Sequence, residues 1–152
     1  MRPVLPVLAL TVFVLAACSQ AEAPVPPPEP PEPAVVLAGV DLARPVRALG
    51  TEPFWSVDLT GTEMVYTAPE PPEQRARQPN PVVQGTTVTY AAETADGTVL
   101  EVTLVATECS DGMSDRTYPL TALVKLGDRE LTGCAAATAA ILSAGESGPV
   151  VE

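Results

Sequence analysis

From about residue 44 to residue 136 the chain alternates, and this period of two constrains its fold more than any other feature. Leu100, Val102, Leu104 and Ala106 interleave with Glu101, Thr103, Val105 and Thr107, placing one set of side chains on each face of an extended strand. Leu120, Ala122, Val124 and Leu126 form a second run. Trp55, Val57 and Leu59 form a third, Met64 and Tyr66 continue on a returning run, and Val88 and Tyr90 alternate with Thr87 and Thr89. Turn residues separate the runs at Thr60-Gly61-Thr62, Ala95-Asp96-Gly97 and Gly127-Asp128, while Pro69, Pro71 and Pro72 close the run through Tyr66. Short β-branched runs at this spacing predict an all-β fold, a small antiparallel β-barrel or sandwich. No apolar pattern of period 3.6 competes within it. Residues 135–142 are rich in alanine and predict a short helix, with little order expected beyond Ser143.

The amino terminus departs from this pattern. Arg2 precedes an apolar run of twelve residues, Leu5 to Ala16. As a helix it would reach about 18 Å, short of the ~30 Å hydrocarbon core, which suits a secretion signal and not a membrane-spanning segment. The run closes on Leu15-Ala16-Ala17-Cys18, which resembles the lipobox of bacterial lipoproteins. The resemblance implies cleavage before Cys18, a diacylglyceryl group on the Cys18 thiol and acylation of the new amino group. Two or three acyl chains, at ~0.8 kcal/mol per buried CH₂, anchor a protein essentially permanently. Ser19, not Asp, follows the cysteine, and analogy with enterobacterial lipoproteins then points to the outer membrane, facing the periplasm.

Seven prolines fall between Pro24 and Pro33. Proline fixes φ and favours polyproline II at about 3.1 Å per residue, so residues 21–33 could act as a semi-rigid stalk reaching up to ~40 Å. A proline-rich ligand for an aromatic groove is the alternative. The expected organisation is a lipoprotein signal peptide (1–17), a lipidated cysteine with its disordered stalk (18–34), a β-domain (35–136) and a short helix or disordered tail (137–152).

Composition narrows the chemistry. Histidine is absent, which removes the commonest general base and transition-metal ligand. Eight basic against nineteen acidic side chains leave a net charge of −11, the wrong sign for nucleic acid. If Cys18 carries lipid, Cys109 and Cys134 remain, the number one disulfide needs in an oxidising compartment. Such a bridge closes a loop of about 25 residues, worth roughly 3.5 kcal/mol in the chain-entropy model. Two thiolates without histidine make an incomplete zinc site, and there is no C-x-x-C spacing, so neither a metal nor another cofactor is expected.

Two loops stand out, and loops on a rigid scaffold commonly carry binding residues. Residues 68–81 combine five prolines with Arg75 and Arg77, a local concentration of positive charge. Residues 110–119 read Ser-Asp-Gly-Met-Ser-Asp-Arg-Thr-Tyr-Pro and lie inside the expected disulfide loop. Three blocks carry a family likeness: Gly50-x-Glu52-Pro53-Phe54-Trp55, then Cys109-x-Asp111-x-Met113-Ser114-x-x-x-Tyr118-Pro119, then Gly133-Cys134. Together they resemble a biochemically uncharacterised family of small bacterial envelope lipoproteins, often labelled predicted membrane proteins, over about residues 45–136. Asp115 stands where that family commonly carries glycine, so a role needing a flexible backbone there does not carry over. The resemblance implies an envelope lipoprotein and brings no activity with it. The likeness in size and setting to membrane-bound inhibitors of C-type lysozyme is architectural analogy alone.

In the first block, Gly50 permits a tight turn and Pro53 starts a strand. The rings of Phe54 and Trp55 are expected to close one end of the core while Glu52 accepts backbone hydrogen bonds. An aromatic platform with Glu52 as its polar contact is the functional alternative. Around the second block, Glu108, Asp111 and Asp115 with Ser110 and Ser114 offer oxygens, but the D-x-[DN]-x-[DN]-G ladder of calcium loops is missing. A disulfide-pinned turn capped by Asp111 is the simpler reading. Neither serine has a histidine to activate it, and the sole lysine, Lys125, falls in an expected strand. The expectation is therefore a non-enzymatic, lipid-anchored module. It would bind an envelope protein or ligand through Asp111, Met113, Ser114, Asp115, Arg116 and Tyr118 together with Arg75 and Arg77. The rival is an inhibitor of lysozyme or another envelope-directed hydrolase, which the acidity suits.

Overall fold

The structure, a computed structural model, describes residues 34–151. The expected signal peptide, Cys18 and the proline run through Pro33 lie outside the described residues. A short hairpin of Val36–Leu37 (β1) and Val40–Asp41 (β2) comes first. It turns at Ala38 and Gly39, whose φ values of 47° and 83° are those of a two-residue hairpin loop. The alternating runs then become Val46–Thr51 (β3), Phe54–Leu59 (β4), Glu63–Thr67 (β5), Gln74–Arg77 (β6), Val82–Gln84 (β7), Thr87–Glu93 (β8) and Val99–Val105 (β9). Cys109–Ser110 (β10), Asp115–Tyr118 (β11), Leu120–Leu126 (β12), Arg129–Ala137 (β13), the helix Thr138–Ser143 (α1) and Ser147–Pro149 (β14) complete the order.

Nine strands form one antiparallel sheet in the order β6-β5-β4-β3-β13-β12-β9-β8-β7, curled into a half-barrel. A single bridge between Ala76 and Thr94 joins β6 to the end of β8. The chain changes partners between β6, which pairs with β5, and β7, which pairs with β8. Pro79 and Pro81 lie in this link and lack the N–H groups that would continue a ladder. Residues 68–81, expected to be a loop, thus contain a strand. Gln74–Arg77 is too short, and too closely flanked by prolines, to show a period.

The core follows from the pleat. Trp55, Val57 and Leu59 are buried from β4, Leu100, Val102 and Leu104 from β9, and Leu120, Ala122, Val124 and Leu126 from β12. Between Val46 and Leu131, the matching positions of β3 and β13 are small: Ala48 and Gly50, and Gly133, Ala135 and Ala137. Small residues there leave room for Trp55, Tyr66 and Tyr90, all buried. Phe54, expected to share the core with Trp55, is instead 57% exposed. Successive side chains of a strand face opposite sides, so burying one ring turns its neighbour out.

Cys134 and Ala136 lie on the other face of β13 and are also buried, because a second layer covers them. The β10–β11 hairpin packs there, tied by the Cys109–Cys134 disulfide with Cα atoms 5.4 Å apart. The expected disulfide is present. β14 adds to β11 in parallel, and the buried Val150 donates its N–H to the Thr117 carbonyl (2.8 Å). Residues after Ser143 therefore have the order that their sequence does not announce, since a three-residue strand has no legible period.

Candidate functional site

β3 and β13 pair only where Val46 to Leu49 meets Cys134 to Ala137. Beyond Leu49, β3 turns through Glu52 and Pro53 into β4, while β13 runs back to Arg129 beside β12. The tip of the β10–β11 hairpin sits at this parting, where Thr51 Oγ1 donates to the Asp111 carbonyl (2.9 Å). A cleft of about 310 Å³ results, with Leu49, Thr51, Glu52 and Thr132 facing Asp111 and Met113. Gly50, Cys109 and Gly133 also line it, so the three sequence blocks meet in one place.

The glycines of two blocks are explained by Trp55. A Cβ at Gly50 would lie 2.2 Å from Trp55 Nε1. One at Gly133 would lie 2.0 Å from the Leu49 carbonyl oxygen and 2.9 Å from Trp55 Cζ2. Trp55, 4% exposed, is thus core packed against glycine backbone and offers no open ring face. Glu52 is exposed at the rim and, among the described residues, takes none of the backbone hydrogen bonds expected of it. The hairpin is closed by the Gly50–Trp55 and Thr51–Phe54 pairs instead.

Asp111 organises the second block. Its Oδ1 accepts the N–H groups of Met113 (3.0 Å) and Ser114 (2.8 Å). Its Oδ2 accepts the hydroxyls of Ser114 (2.8 Å) and Tyr118 (3.0 Å). Desolvation pushes the Asp111 pKa up, but the four donors together outweigh it and bring it down to about 2. Burial in turn raises the Tyr118 phenol above its ordinary value, with Asp111 adding to the rise. Gly112, at φ 72°, completes the turn.

The remaining candidates separate. Arg116 Nε donates to the Gly145 carbonyl (2.7 Å), so its side chain holds the segment before β14. Asp115 is exposed and opens β11 with no positive φ, so nothing in its backbone calls for glycine. Met113 is 66% exposed at the tip. Arg75 is engaged by Glu73 (2.7 Å) and Glu63 (3.0 Å). Arg75 and Arg77 lie on β6, three places from β3 in the sheet, and neither lines the cleft. Arg75 and Arg77 therefore do not share the surface of the disulfide loop; the 68–81 segment reaches β13 through Glu70, whose carbonyl accepts from Arg129 Nη1 (3.1 Å). Lys125 faces Glu130 (3.2 Å). Among the described residues no three Cys, Asp or Glu side chains are grouped to hold a metal ion.

Thr51 and Thr132 are cleft residues that the sequence did not single out. Thr51 sits inside the first block, but its partner Asp111 is 60 residues away and no periodicity encodes that meeting. Comparison with protein families, curated proteins and solved structures finds no match.

Proposed function

We propose that this chain is a lipid-anchored lipoprotein of the bacterial envelope whose β-domain is a non-catalytic binding module, engaging its partner at the cleft between β3, β13 and the hairpin tip. The observation that carries the binding reading is the convergence of the three blocks on a cleft whose reactive-looking groups are already engaged. Asp111 holds four donors, Ser114 supplies two of them, and Trp55 is core. Met113 and Glu52 stay exposed at the rim. The anchor rests on the lipobox-like residues ending at Cys18. Ala34 lines a groove with Gly61, at the opposite end of β4 from Glu52, so the cleft is remote from where the stalk joins.

A photo-cross-linking residue at Met113, compared with one at the exposed Leu142, tests the site in cells, and Cys18→Ala tests the anchor. Adducts at position 113 and not at 142 are expected, with the Cys18→Ala protein leaving the membrane fraction. Adducts at neither position, or an unchanged membrane fraction, would reject the corresponding half. The cleft contains Glu52 and Asp111 and no basic side chain, which favours a second reading, inhibition of a cationic lysozyme. In that case the purified protein lowers lysozyme turnover in a salt-sensitive manner.

A further inference from the structure

We infer that the cleft takes an extended, cationic peptide segment of a partner protein, which pairs with the open edge of β13; this rests on the binding reading above and names the class of partner. Residues Arg129 to Ala135 of β13 pair with β12, whereas β3 covers only Cys134 to Ala137. Among the described residues, Arg129 to Gly133 therefore have a strand on one side and none on the other. Backbone donors and acceptors along such an edge can template a further strand. Charge on this edge is confined to Arg129 and Glu130 at its far end. β13 contains no proline, and Thr132 is exposed. Its five open residues span about 17 Å, enough for a peptide of similar length.

The edge opens into the cleft, with Thr132 and Gly133 on one wall and Cys109 to Met113 on the other. The charge selects the occupant. Glu52 and Asp111 line the cleft without a basic neighbour and the whole chain carries −11, whereas on the far end of the open stretch Arg129 and the Lys125-paired Glu130 add no net negative charge. A second copy would bring the same net charge of −11, which opposes self-pairing.

The test uses the full chain in detergent and a labelled Lys-Val-Lys-Val-Lys-Val peptide, its Glu-Val counterpart, and the Lys-Val peptide with every backbone amide N-methylated. The Lys-Val peptide should bind, more weakly as salt is raised, and slow amide exchange at residues 129–133. Glu52→Lys, at an exposed position, should weaken it about tenfold, and N-methylation should abolish it. Equal binding of the methylated or acidic peptide, no protection at 129–133, or no binding at all would overturn the inference. So would protection of that stretch that depends on protein concentration without peptide, which marks a second copy as the occupant. Cross-links at position 113 in cells, alongside any of these failures, would leave the binding reading standing and remove only the peptide.

Discussion

At Gly50 the nearest atoms an added Cβ would meet belong to the indole of Trp55, whereas at Gly133 its nearest neighbour would be a backbone oxygen, that of Leu49. Both alanine substitutions should destabilise the fold by about 2 to 3 kcal/mol, the upper part of the range for overpacking a filled core. They should differ in rescue. In a Trp55→Phe background the cost of Gly50→Ala should shrink by about 1 kcal/mol, while that of Gly133→Ala stays, because a smaller ring cannot move a main-chain carbonyl. Urea denaturation of the two cycles reads this directly. Asp111 gives a pH signature. Its pKa of about 2 in the folded chain lies below the ordinary aspartate value near 4. The carboxylate's contribution is therefore complete above about pH 4 and fades as pH falls through about 2. Asp111→Ala should cost about 1 to 2 kcal/mol at neutral pH, the lower part of the range for bonds to a charged group because the site is partly exposed. Urea midpoints from neutral pH into the acid range should show wild type and variant converging; a constant difference would exclude a role for the charge.

The β10–β11 hairpin is an element held from outside itself, by the disulfide to β13, the Thr51 bond and the parallel strand β14. Removing residues 144–152 takes away β14 and buried Val150 while leaving the nine-stranded sheet its own ladders. Amide exchange in Asp115–Tyr118 should then accelerate, with that in β12 and β9 little changed; uniform acceleration would show that the tail supports the whole fold. Elements of this size also mark where sequence reading stops. Leu100 to Leu104 and Leu120 to Leu126 are long enough to declare their faces, and Gly61, Gly97 and Gly127 declare the turns between them. β1, β2 and β14 have two or three residues each and carry no period. The aromatic character of Phe54 points it to the core, but its position in the pleat turns it outward. The Asp111 turn was readable because its bonds are local; the parting of β3 from β13 was not, since it depends on where two distant ladders end.

At the scale of the molecule, sheet order decides which residues can act together. Arg75 and Arg77 looked like companions to the disulfide loop, yet β5 and β4 stand between β6 and β3, and Arg75 is occupied by Glu63 and Glu73. What the order brings together instead is an acidic cleft on an acidic chain, whose negative field weakens as salt screens it. The same order determines how the wall comes apart. With one rung between Ala76 and Thr94, the sheet is a ribbon bent round on itself and not a ring. Thermal breathing should start as an unzipping from that seam, and the laced side where β3, β13 and β12 run together should be the last to separate.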